Sequence, residues 1–210
     1  MFLSFPNDFF WGTSTAAAQV ETASDHTWRG VKSLDGHVFE RTTDHEKLRL
    51  EDAEYIARFG TIYRCSVDWS RLQTEPFSKF DAEVVAEYRE FFKVLQKKGM
   101  NLMLVLHHFA HPNWFEQRGA WTTEDNIPMY LDFVRQCIKH FGEFAAYWNT
   151  FNEPNVYALN AYLLGNFPPK KKRQYATANL VLDNMGKAHD IAFAMIREKS
   201  EAPPGHSFAP

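Results

Sequence analysis

Four short apolar runs, at residues 9–18, 61–66, 101–106 and 146–151, constrain this chain more than any other feature. Each is too short for a buried helix and has no polar face, as expected of strands in a parallel sheet covered on both sides. Between them lie stretches with apolar residues near i, i+3, i+4 spacing. Residues 43–59 end at Gly60, a C-cap candidate, and residues 81–98 open on the acidic cap candidate Asp81 and end at Gly99. Residues 123–141 open on a polar cap and end at Gly142, and residues 173–199 form a last helical stretch with an expected break near residues 184–186. Strand then helix, four times over, is the pattern of an α/β protein with a parallel sheet. Spacing alone leaves an open doubly wound sheet and a closed barrel both standing.

Several function classes are excluded at this level. No GxGxxG or GxxxxGK[ST] follows any strand, so a nucleotide-binding loop has no support. The net charge of −3 argues against a nucleic-acid surface. The basic run Lys170–Arg173 follows two prolines and reads as a solvated loop. No apolar stretch approaches the ~18 residues of a membrane span, and the start MFLSFPNDFFWG lacks the pattern of a signal peptide. Cys65 and Cys137 stand far apart and outside any CxxC, which reads as two free buried thiols in a reducing, cytoplasmic compartment. His107, His108 and His111 invite a metal reading, but neighbours on a strand point to opposite faces, and zinc needs three or four converging ligands. The expectation is therefore no metal and no cofactor, with His107 structural.

In parallel α/β folds, ligands bind at the C-terminal ends of the strands. Gln19 and Glu21 stand near the end of the first run. Arg64, Asp68, Trp69 and Arg71 follow on the second, His107, His108, Asn113 and Trp114 on the third, and Asn152 and Glu153 on the fourth. Amides, imidazoles, carboxylates and indoles at four strand ends suit a sugar, whose hydroxyls donate and accept and whose C–H faces pack on rings. Aromatic residues make up 16% of the chain, and most of them are expected in the core.

The motifs at these ends resemble glycoside hydrolase family 1, the β-glucosidase/β-galactosidase family, and occur in its order. They are FPNDFFWGTSTAAAQVE, YRCSVDWSRL, LVLHHFAHPNWFEQRGAW and WNTFNEPN, covering residues 5 to 165. The resemblance implies a TIM (β/α)8 barrel, of which this chain supplies the first four β/α units. It also implies a retaining β-glycosidase acting on β-linked glucosides or galactosides. By that likeness Glu153 is the general acid/base, and Asn152 binds the sugar 2-hydroxyl. Gln19 and His108 hold the 3- and 4-hydroxyls, and Arg64 supports the nucleophile. Taken alone, Glu153 could be a capping carboxylate, Asn152 a turn residue, Gln19 a satisfied buried amide and Arg64 a structural ion-pair partner. The chain departs from the pattern at Phe109, where the family usually has Trp, and at Ala120 in the usual Gly-Gly-Trp.

The family's nucleophile lies in a T-E-N-G motif on the seventh strand, and no such motif occurs in these 210 residues. TIM barrels run to about 250 residues. The expectation is an N-terminal half-barrel over residues 1–200 with a disordered Pro-rich tail over 201–210. Such a truncated chain is expected to be inactive or weakly active alone, and to pair with a complementing C-terminal half or a second copy. The alternative is a non-catalytic carbohydrate-binding half-barrel that self-associates.

Overall fold

The computed structural model describes residues 4–7, 9–22, 24–33, 35–200, 202 and 204–207. The chain alternates strand and helix in the order β1 (Gly12–Thr15), α1 (Ala17–Val20), α2 (His45–Ile56), β2 (Ile62–Ser66), α3 (Trp69–Leu72), α4 (Ala82–Lys97), β3 (Asn101–His107), α5 (Asn113–Glu116), α6 (Ile127–Phe141), β4 (Ala145–Asn152), α7 (Pro154–Ala158), α8 (Tyr175–Lys199) and β5 (Pro204–Ser207). All strands run parallel in the sheet order β1-β2-β3-β4-β5.

The register explains how the sheet's two faces differ. Cys65, Leu104 and Trp148 pair in one row and are buried beneath the helices. Their neighbours Ser14, Arg64, Met103 and Tyr147 pair in the adjacent row and stay half-buried or exposed. The expectation of strands covered on both faces thus holds for the helix-side face only. The other face, at Arg64 and its row, carries polar groups that solvent reaches.

Local chemistry accounts for the helices on the covered face. Asp81 caps α4, its Oδ1 accepting from Glu83 N at 2.9 Å and Val84 N at 3.1 Å. That helix buries Val85, Tyr88, Phe91, Phe92 and Leu95, one stripe at helical spacing, before Gly99 turns the chain at φ 79°. The single helix expected over 123–141 is two pieces. Thr123 caps a 3₁₀ turn at Glu124–Asn126, and α6 begins afterwards with proline in its first turn, where a missing N–H costs nothing. The aromatic excess is largely core: Trp69, Trp121, Tyr130, Phe133 and Phe151 pack edge-to-face or stacked on one another.

The tail departs from expectation. Pro204–Ser207 form β5, paired in parallel with β4 through Trp148, Asn149 and Asn152, instead of being disordered. Backbone pairing to an open strand edge is indifferent to the composition that made this segment look unstructured. The expected disorder at 201, 203 and 208–210 lies outside the described residues.

Candidate active site

The site is assembled at the C-terminal ends of the strands. β4 ends on the buried Asn152, and Glu153 follows it in the left-handed region, at φ 45° and ψ 60°. That region is uncommon for a non-glycine residue and is held only where the surroundings determine it. Pro154 starts α7 immediately afterwards and fixes the helical direction. The strand-to-helix turn therefore sets the half-buried Glu153 carboxyl at the strand's mouth.

Arg64 joins β2 to this turn. Its Nη2 donates to Asn152 Oδ1 at 2.6 Å, and its Nη1 reaches Ser14 Oγ on β1 at 3.4 Å. Asn152 Nδ2 in turn makes a long contact, 3.4 Å, with Glu153 Oε2. Burial pushes the Arg64 guanidinium below its usual range, and the charge of Glu153 opposes that shift. Arg64 thus orients the amide of Asn152 and lies within the field of the Glu153 carboxylate.

His108 and Gln19 form the second part of the site. They line one pocket of about 180 Å3 with Trp28, Phe39, Phe109 and Phe167. Burial, and then the charge of Arg64, push the His108 imidazole down to about 4. It is therefore neutral at pH 7, with one donor and one acceptor nitrogen, as a hydroxyl ligand requires. Its Nδ1 is buried and has no hydrogen-bond partner among the described residues. Gln19 sits on α1 with its side chain exposed, not as a buried amide in a strand. Phe109 takes a left-handed turn at φ 63°, its carbonyl held by Trp28 Nε1 at 2.8 Å, and its ring lies 5.2 Å from that of Phe167.

Other polar residues expected at the strand ends serve the scaffold. Glu21 is 2% exposed and accepts from Arg71 Nη1 at 2.6 Å, Tyr88 OH at 2.7 Å and Arg49 Nη2 at 2.9 Å. Asp68 caps α3 through Ser70 N and Arg71 N. Trp69 is buried, and Asn113 bonds Asp25. His107 Nε2 lies 3.3 Å from both His111 Nδ1 and Trp121 Nε1, and His111 Nε2 lies 2.8 Å from Glu116 Oε2. Burial holds the His107 imidazole well below its ordinary range. The ring walls Trp28, Phe39 and Phe167 escaped the sequence reading, because they lie on loops without periodicity and meet only in the folded chain.

The sequence profile of glycosyl hydrolase family 1 matches residues 2–206. A 6-phospho-beta-galactosidase of Streptococcus equi subsp. zooepidemicus is 32% identical over 213 residues, covering 98% of this chain and 45% of that protein. Beta-glucosidase A of Acetivibrio thermocellus is 27% identical, over 93% of this chain and 46% of its own. The structure of a beta-glycosidase from Pyrococcus horikoshii superposes with a TM-score of 0.87 at 29% identity, over 98% of this chain and 48% of that one. The chain spans about half the length of the relatives it matches. Its parallel sheet is accordingly part of a TIM barrel, and the chain belongs to glycosyl hydrolase family 1.

Proposed function

We propose that this chain is the acid/base half of a retaining β-glycosidase, with Glu153 as general acid and then general base. The observation that carries the reading is the turn at the end of β4, where Asn152 and Glu153 project together and Arg64 is bonded to Asn152. In a retaining mechanism one carboxyl protonates the departing oxygen while a second, about 5–5.5 Å away, attacks the anomeric carbon. Water then releases the sugar as the first carboxyl takes back a proton. In this reading Asn152 binds the 2-hydroxyl, and Gln19 and neutral His108 bind the 3- and 4-hydroxyls of a β-linked glucoside or galactoside. Arg64 would hold the nucleophile ionised.

No T-E-N-G segment occurs in these residues, so the nucleophile is supplied by sequence outside them, and the chain alone turns over little or nothing. The two cysteines are free and buried, which supports a reducing, cytoplasmic location.

The test is hydrolysis of 4-nitrophenyl β-D-glucoside by the chain alone and after co-expression with the C-terminal half of a family relative. We expect turnover only in the complemented sample, and Glu153→Gln to lower its kcat by about 10²–10⁴-fold. Full activity of the Gln variant would remove Glu153 from the mechanism. Family-like turnover by the chain alone would show that its own residues supply a nucleophile.

A further inference from the structure

We infer that the wide cleft beside the sugar pocket receives a leaving group that is both aromatic and anionic, a reading that rests on Gln19 and His108 marking the sugar's place. The cleft, about 670 Å3, shares Trp28, Phe39 and Phe167 with the 180 Å3 pocket, so the two adjoin across the same rings. In the proposed binding mode, a group attached to a sugar in the small pocket passes along these rings into the large one.

Two loops build the cleft's walls. One is formed by residues 28–33 and 35–40, held together by Gly30 N to Phe39 O at 2.8 Å, Phe39 N to Val31 O at 2.9 Å and Ser33 N to His37 O at 2.8 Å. The other is the turn at residues 165–170. Lys170 Nζ ties the two together by donating to the Lys32 carbonyl at 3.0 Å. Behind Lys170, backbone bonds from Lys171 N to Ala161 O and from Arg173 N to Leu163 O pin the basic run to the fold. The run that reads as a solvated loop in sequence is thus anchored at the rim of the groove.

The chemistry changes from the inner end to the outer. At the inner end, Trp28 lies edge-on to Phe167 with centroids 4.9 Å apart and tilted against Phe39 at 6.2 Å. These rings suit an aryl group, by stacking and edge-to-face contact. At the outer end the lining includes Lys32, Arg41 and Lys170 against a single carboxylate, Asp35. Arg41 is held by Asp44, and Asp35 accepts only from the neutral Ser33 hydroxyl, so this end keeps a net charge of +1 from the Asp35 carboxylate and the ammonium groups of Lys32 and Lys170. A carboxylate carried on the far side of an aryl leaving group would meet them. The described lining of the small pocket contains no lysine or arginine, whereas that of the large one contains three such cations.

The test is isothermal titration of the intact chain with 4-carboxyphenyl β-D-glucoside, 4-nitrophenyl β-D-glucoside and glucose 6-phosphate, at low salt and at about 0.5 M salt. We expect the carboxyphenyl glucoside to bind about fivefold or more tightly than the nitrophenyl one at low salt. That gap should close at high salt, in Lys32→Ala and in Lys32→Glu. The Lys32 side chain is exposed and only its carbonyl is bonded, so these variants fold. Equal affinity for the two glucosides, or a gap that Lys32→Glu leaves intact, overturns the inference while the sugar site stands. Lysine-dependent tight binding of glucose 6-phosphate also overturns it, by moving the anion onto the sugar. Binding of neither glucoside defeats the sugar site itself and this inference with it.

Discussion

His108 shows how a single residue's environment fits it to a task. Its imidazole is pushed down to about 4 from an ordinary 6.5, first by burial and then by Arg64. The unfolded chain therefore binds a proton that the folded chain refuses as the pH falls from about 6.5 towards 4. Stability contributed by the neutral ring is complete above that window and is lost on descending through it. His107, fully buried and likewise depressed, acts in the same direction. The urea midpoint is thus expected to fall between pH 7 and pH 5. His108→Gln, which keeps a neutral donor and acceptor but cannot titrate, should show a smaller fall in the same titration. An identical fall in both proteins would mean that His108 is not held neutral by its site.

At the scale of elements, two glycines separate local preference from tertiary contact. The break expected near residues 184–186 does not occur, and α8 runs unbroken over Tyr175–Lys199. Asn184 is 1% exposed, and its Nδ2 donates to Trp121 O at 2.9 Å, so the helix gains an anchor where its sequence looks weak. Gly186 faces solvent, and a Cβ there would meet nothing within 4 Å. Gly186→Ala should therefore stabilise the chain by about 0.5–1 kcal/mol in urea denaturation. Gly60 behaves oppositely. It is not the cap of α2, which ends at Ile56 with Ala57 as its C-cap. A Cβ on Gly60 would stand 2.0 Å from the Trp11 carbonyl oxygen, at the point where β1 and β2 come together. Gly60→Ala should cost about 1–3 kcal/mol, because the obstacle is backbone that cannot rotate away. Equal and small effects at both positions would refute this distinction.

For the molecule as a whole, the uncovered sheet face and the edge at β1 dominate. Phe5, Phe9, Phe10 and Trp11 are 44–54% exposed beside that edge, with the Phe5, Phe9 and Trp11 rings packed 4.7–4.9 Å apart. An exposed aromatic patch next to an unpaired strand edge invites association. The chain alone is expected to bind a hydrophobic dye and to sediment as a concentration-dependent dimer, with both properties suppressed by a complementing C-terminal half. A monodisperse monomer that binds no dye would count against this. Among the described residues no helix is long and apolar enough to cross a membrane.

The alternation of strand and helix was legible in the chain because it follows from contacts within a few residues: apolar runs, the Asp81 cap, the stripe on α4. The motif at Asn152 and Glu153 was legible for the same reason, since the turn that presents them is local. Roles that depend on distant partners were not. Glu21, beside Gln19 in sequence, was drawn into an ion-pair network by Arg49 and Arg71, 28 and 50 residues away. Trp28, Phe109 and Phe167 became one wall only when three loops met. The Pro-rich tail, unpromising by composition, became β5 because β4 offered an open edge. Side-chain pattern records which face of an element is apolar, whereas charge pairing, pocket walls and edge pairing depend on what the fold brings alongside, and only the tertiary structure decides that.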